Sequence, residues 1–151
     1  MTRDELLFQI GYSIRLEKMQ ATLLARADRA SNFLQIFLGV AVVADAYPKV
    51  IGVAMAALAA ISFVCQPGAK STEARTQKQK YEKLLAEEST LLDQQLRTRY
   101  AELQESDSFI VGSLANPAHM GEQIRLGYVP DFQLNWFEKV CAALAGDLPR
   151  P

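Results

Sequence analysis

Hydrophobic and polar positions follow four successive patterns along this chain. In the first, Leu7, Ile10, Ile14, Met19, Leu23 and Ala27 recur at intervals of three to five, opposite Arg3, Glu5, Glu17 and Arg26. That is the period of one apolar face on an α-helix. Thr2 and Asp4 offer capping side chains at its start, and no proline interrupts the chain before Pro48. The pattern therefore predicts a helix over 1–31 that is able to run on into the next segment.

In the second pattern the polar positions nearly vanish. Residues 32–65 contain "FLGVAVVADAYPKVIGVAMAALAAISFV", Phe37 to Val64, with Asp45 and Lys49 near the middle. One continuous helix would set this pair four residues apart, but Pro48 clashes with the preceding turn and disfavours helix at Tyr47. The stretch "DAYPK" thus reads as a turn at 45–49 between two apolar helices, over about 32–44 and 50–65. Each is shorter than the ~20 residues that usually span a hydrocarbon core of ~30 Å. The second helix has one Ser and no polar face, unlike a surface helix of a small soluble domain. Gly39, Gly52, Ala54, Ala56, Ala57, Ala59 and Ala60 are small residues of the kind through which helices approach closely in lipid.

The third pattern is polar with a narrow apolar stripe. Tyr81, Leu85, Leu92, Leu96 and Leu103 repeat at four and seven, which predicts a long cytoplasmic helix over 70–105 packed on a partner helix. The N-terminal helix is the natural partner, as an antiparallel stalk. In the fourth, 106–151, a short apolar cluster "FIVGSLANP" leads to a polar helix near 118–126 ended by Gly127. An amphipathic helix over 132–145 follows, carrying Phe132, Leu134, Trp136, Phe137, Val140, Cys141 and Leu144, with Gly146 just past its end. Trp136 and Phe137 are candidate interface anchors, because aromatics on such a helix settle in the headgroup zone of a bilayer.

The predicted fold class is all-α: a two-helix transmembrane hairpin, a long cytoplasmic antiparallel helical stalk and a C-terminal amphipathic helix. The chain's 151 residues make one domain.

Charge orients this arrangement. Arg15, Lys18, Arg26 and Arg29 precede the hairpin and Lys70, Arg75, Lys78, Lys80 and Lys83 follow it, while the turn holds one Lys and one Asp. The positive-inside rule then puts both termini in the cytoplasm and the turn on the far side of the membrane. The N-terminus does not read as a signal peptide. A net charge of −1, with no basic patch interleaved with aromatics, points away from nucleic acid and leaves the lipid bilayer as the expected partner.

Candidate chemistry changes the picture little. Cys65 and Cys141 lie far apart, outside any disulfide or zinc spacing. His119, the only histidine, has no nucleophile near it in a recognised arrangement and reads as a helix-start or packing residue. No Gly-rich phosphate loop, GxSxG or HExxH occurs. The expectation is a protein that is not an enzyme, with no catalytic residues, cofactor or metal. Gln35, Asp45 and Lys49, polar groups close to lipid, admit two readings. Gln35 bonds a neighbouring helix while Asp45 and Lys49 cap the hairpin, or an oligomer uses Gln35 to line a pore and Asp45 to ring its mouth.

The order of these parts resembles the SLATT domain group. The similarity is carried by "RADRASNFLQIFLGVAVVA", by "QKQKYEKLLAEESTLLDQQL" and above all by "IRLGYVPDFQLNWFEKVCAAL". It implies a bacterial membrane effector of conflict and defence systems, host- or phage-encoded. Such proteins assemble as homo-oligomers that form pores in, or disrupt, the cytoplasmic membrane when a separate sensor or regulatory protein triggers them. Two other readings stand beside it: a non-conducting helical scaffold, membrane-anchored or soluble, that binds a partner protein, and a holin-like phage lysis protein.

Overall fold

The computed structural model describes residues 2–43 and 47–150, all helix, turn or extended connection. The axis is set by α1 (Arg3–Val43), whose 41 residues run without a break, about 60 Å at 1.5 Å per residue. It opens on a reciprocal cap. The Glu5 amide donates to Thr2 Oγ1 (3.2 Å) and the Thr2 amide donates to Glu5 Oε2 (2.7 Å), the capping-box arrangement.

Two prolines organise the return path. Pro48 opens α2 (Pro48–Cys65) and Pro67 opens α3 (Pro67–Ala86). The residues before them, Tyr47 and Gln66, both adopt the left-handed conformation with φ 46°. Proline disfavours the right-handed helical conformation in its predecessor, so one local rule sets both ends of α2. The returning pair runs antiparallel to α1 in one register. Ser31 Oγ lies 2.6 Å from Ser62 Oγ, Ser71 Oγ donates to the Ala21 carbonyl (2.8 Å), and Leu6 and Ile10 pack with Tyr81 and Leu84.

The helix expected over 70–105 is two helices. After α3, a 3₁₀ turn at Glu88–Thr90 leads into α4 (Asp93–Gln104), which folds back along α3. Thr90 Oγ1 donates to the Glu87 carbonyl (2.8 Å), and Gln95 Oε1 accepts from the Leu92 amide (3.2 Å) to start α4. Arg3 closes the turn: its guanidinium donates to the Glu88 and Leu91 carbonyls and pairs with Glu88 and Asp93. Carbonyls of the turn between α3 and α4 thereby gain a donor. Of the expected stripe, Tyr81 and Leu96 are fully buried and Leu85 and Leu103 partly so, while Leu92, at the N-cap of α4, is exposed.

The last two helices pack on the other side of α1. They are α5 (Ala115–Arg125), entered through a 3₁₀ turn at Gly112–Leu114, and α6 (Trp136–Leu144). The amphipathic helix is shorter than the 132–145 expected because Asn135 caps it, accepting from the Glu138 amide (2.8 Å) while Glu138 Oε2 accepts from the Asn135 amide (2.8 Å). Both helices end as their glycines predict. Gly127 and Gly146 have φ of 80° and 76°, and the Tyr128 and Asp147 amides reach back to the carbonyls of Gln123 and Ala142, the Schellman geometry.

Two cores result, both on the N-terminal half of α1. Leu6, Ile10, Tyr81, Leu84, Leu96 and Tyr100 form one with α3 and α4. Leu16, Met19, Leu114, Ala118, Cys141, Ala142 and Ala145 form the other with α5 and α6.

Candidate functional site

Beyond Ser31 the cores end and the hairpin continues alone. Its two arms, the end of α1 and all of α2, touch along a narrow seam. Ser31, Gln35, Leu38 and Val42 on one arm and Ile51, Met55, Leu58 and Ser62 on the other are partly buried, each set at spacings of four, three and four. This is the a/d spacing of a coiled-coil seam. Away from it the arms are exposed and apolar, with Phe33, Ile36, Phe37, Val40 and Val43 on α1 and Val50, Val53, Ile61, Phe63 and Val64 on α2. The α2–α3 segment from Lys49 contains a stretch long and apolar enough to cross a membrane, and none of that stretch is buried in the fold. It is the one such stretch among the described residues, and the arm of α1 does not form a second.

The polar groups of the arms face each other. Gln35 Nε2 lies 3.3 Å from Ser62 Oγ and 3.4 Å from Ser31 Oγ, joining the Ser31–Ser62 pair at the base of the hairpin. At the other end Tyr47 and Lys49 are exposed. Asp45 lies outside the described residues. Of the small residues, Gly39 approaches Met55, whereas Gly52 meets no other side chain and the alanines of α2 lie exposed.

Below the base, a polar clamp fixes the connection between α4 and α5. Glu17, only 3% exposed, accepts from Ser108 Oγ (2.6 Å) and Gln20 Nε2 (3.2 Å), and Gln20 Oε1 accepts from the Val111 amide (2.6 Å). Asp107 accepts from Tyr81 Oη (2.6 Å) and Gln77 Nε2 (2.9 Å). Burial raises the pKa of the Glu17 carboxyl, and burial together with donation to Asp107 raises that of the Tyr81 hydroxyl. Between these anchors Phe109 and Ile110 stay exposed, with Lys70 Nζ 4.8 Å from the Phe109 ring centroid. Periodicity gave no reason to single this loop out, since its anchors come from two separate helices, α1 and α3.

Trp136 and Phe137 stand exposed at the start of α6, in mutual edge contact. That end follows Phe132, which packs against His119, itself set against Phe8 and Tyr12 near the far end of α1. The opposite end of α6 is the one nearer the hairpin, where Arg26 donates to the Leu144 carbonyl (2.5 Å). The fold thus turns this aromatic pair away from the hairpin base. His119 is a packing residue within α5.

A cleft of about 420 Å³ between α1, α3 and α5 gathers Arg15, Lys18, Lys78 and Arg125. Each already faces a carboxylate: Asp147 for Arg15 and Lys18, Glu82 for Lys78, Glu122 for Arg125. No known protein family, curated protein or solved structure matches the chain.

Proposed function

We propose that the chain is an oligomeric two-helix membrane effector, seated in the bilayer by its hairpin and regulated through its helical body. One observation carries the reading: two helical arms whose outward side chains are apolar and exposed, on a body whose outward side chains are largely charged or polar. In water such a surface far exceeds the apolar patches soluble monomers tolerate. In lipid it is matched, and the helices satisfy their own backbone hydrogen bonds.

The arm lengths argue for assembly. α2, with 18 residues, reaches about 27 Å, close to the ~30 Å hydrocarbon core. The α1 arm from Ser31 to Val43 reaches about 20 Å. Such a mismatch is relieved by thinning the bilayer or by neighbouring helices. Exposed Gly52 and the alanines of α2 offer neighbours a close approach. With Arg26, Arg29 and Lys70 at the base, the positive-inside rule keeps the body and both termini cytoplasmic. By its resemblance to the SLATT group, the effector would answer to a separate sensor protein and act in bacterial or phage conflict.

A second reading, a non-conducting membrane-anchored scaffold, is favoured by the polar seam. Gln35, Ser31 and Ser62 bond one another, so these polar groups turn to each other and not to a water-filled pore. Membrane potential and oligomer size in detergent separate the two. Depolarised bacteria and a closed ring support the effector. Polarised cells with a membrane-bound dimer support the scaffold, and a chain recovered only from the soluble fraction rejects both.

A further inference from the structure

Opposite the core, α6 carries an apolar face that the described residues leave uncovered. Glu138, Cys141, Ala142 and Ala145 turn inward, the last three packing with Leu16 and Met19. Trp136, Phe137, Val140 and Leu144 point outward, 76%, 51%, 46% and 52% exposed. They share one side of the helix with Val140 at its middle, and Phe137, Val140 and Leu144 keep the three-and-four spacing of a coiled-coil seam. The one exposed charge of α6, Lys139, lies about 100° round the helix from Val140, off that face. The place of α6 in the fold decides what can cover it. Its start follows Phe132, which meets His119 beside Phe8 and Tyr12, and its end is held by Arg26, so it runs in the same sense as α1. Arg26 itself stands five residues before Ser31, where the hairpin leaves the body, a rise of about 8 Å, and Trp136 lies about 12 Å further off along α6. The aromatic end is out of reach of the bilayer.

From this we infer that the outer face of α6 pairs with the same face of a second copy of the chain, parallel and about a two-fold axis, so that Trp136 and Phe137 are buried against protein and not lipid. The pairing rests on the seating of the hairpin in a membrane, which both readings above share, and deepens it by naming the surface through which copies meet. Copies seated in one bilayer stand the same way up, so a two-fold axis relating them runs along the membrane normal. About that axis two α6 helices meet side by side in one direction, face to identical face, which is the self-complementarity an isologous dimer requires. No charge stands on the face, so the two copies bring no like charges to the seam. Area decides where the pair forms. With about 150–250 Å² for a whole aromatic side chain, these exposures amount to about 450 Å² per copy, roughly half of the ~800 Å² per partner of a standard soluble complex. The hairpin offsets that shortfall, because copies held in one membrane at one height meet at a raised effective concentration.

Disulfide crosslinking tests it. Single cysteines at Val140→Cys and, separately, Lys139→Cys are made in the Cys65→Ser, Cys141→Ala background. The full chain is reconstituted into phosphatidylethanolamine–phosphatidylglycerol vesicles, floated on a density gradient and oxidised with copper phenanthroline. A disulfide needs Cβ atoms about 4 Å apart, which the pairing allows at the middle of the face and not on its flank. The expected result is a floated chain in which the 140 variant forms covalent dimer severalfold faster than the 139 variant. Adding Leu144→Lys, at a half-exposed position that leaves the fold intact, sets two like charges across the seam and is expected to slow the 140 crosslink severalfold. A floated chain whose 140 and 139 variants crosslink at the same rate overturns the pairing and leaves the hairpin reading standing, as does a 140 crosslink that Leu144→Lys leaves unchanged. A chain that does not float overturns the hairpin reading and the pairing built on it.

Discussion

At the scale of single residues, the body depends on charged groups buried where α1 meets its neighbours. Burial raises the Glu17 pKa above its ordinary value of 4.5, against the hydrogen bond from Ser108, and the charge of Asp107 raises it further. A carboxyl with a raised folded pKa binds more protons in the folded chain than in the unfolded one. Its stabilising contribution is therefore complete below the unfolded pKa and is lost as pH rises through the folded value. Glu17→Gln keeps an acceptor for Ser108 and removes the charge. The variant is expected to be more stable than the parent at neutral pH, with a flatter dependence on pH above about 4.5, measured by urea denaturation across that range. Gly11 illustrates the same crowding. A methyl group there would run into the Glu122 carboxylate, which is 2% exposed and held by Arg125. Gly11→Ala is expected to cost about 1–3 kcal/mol, read as a lowered urea midpoint.

At the scale of elements, four helix ends were legible, while the start of α6 and one helix interior were not. Thr2 with Glu5, Gly127, Gly146 and Pro48 each carry a terminus chemistry that sequence displays, and each terminus stands where that chemistry puts it. The break between α3 and α4 was hidden because α4 begins seven residues after α3 ends. A connection of that length keeps the four-and-seven spacing in phase, so Tyr81 and Leu96 reach one core from two helices and mimic a single stripe. The clue was Ser89, Thr90 and Asp93, residues that favour turns and helix starts over helix interiors. The two geometries part company at Leu92. On one long helix, Leu92→Asp would spoil the packing stripe. At an exposed N-cap, Asp is expected to stabilise by about 0.5–2 kcal/mol. Leu96→Asp, fully buried, is expected to cost more than about 3 kcal/mol. Thermal denaturation of the two variants side by side checks both expectations. The same scale holds the strained joint at Gln66. Its left-handed backbone costs a non-glycine residue roughly 1–2 kcal/mol, so Gln66→Gly is expected to leave the thermal midpoint unchanged or raised, and a clear drop would mean that the Gln66 side chain supports the joint.

At the scale of the whole molecule, one long helix belongs to two environments. Up to about Asp28 it is covered by α3 to α6, while beyond Ser31 it meets only α2, along a narrow seam. The sequence displayed this division as a loss of polar positions after Ser31, and the turn at Pro48 as a break in helix chemistry. Hydropathy could not show which polar side chains face inward, because Gln35, Ser31 and Ser62 come together only through the antiparallel register. Nor could it show that Trp136 and Phe137 end up far from the hairpin, a placement that goes with the contact of Phe132 with His119 and the edge contact of His119 with Phe8. The central claim is that the outward faces of the hairpin are covered by lipid. A single cysteine at Val53→Cys in the Cys65→Ser, Cys141→Ala background, challenged with a membrane-impermeant maleimide in sealed vesicles, tests it most directly. The predicted result is no labelling until detergent exposes the site; labelling in intact vesicles as fast as at a cysteine introduced at exposed Glu102 would contradict it.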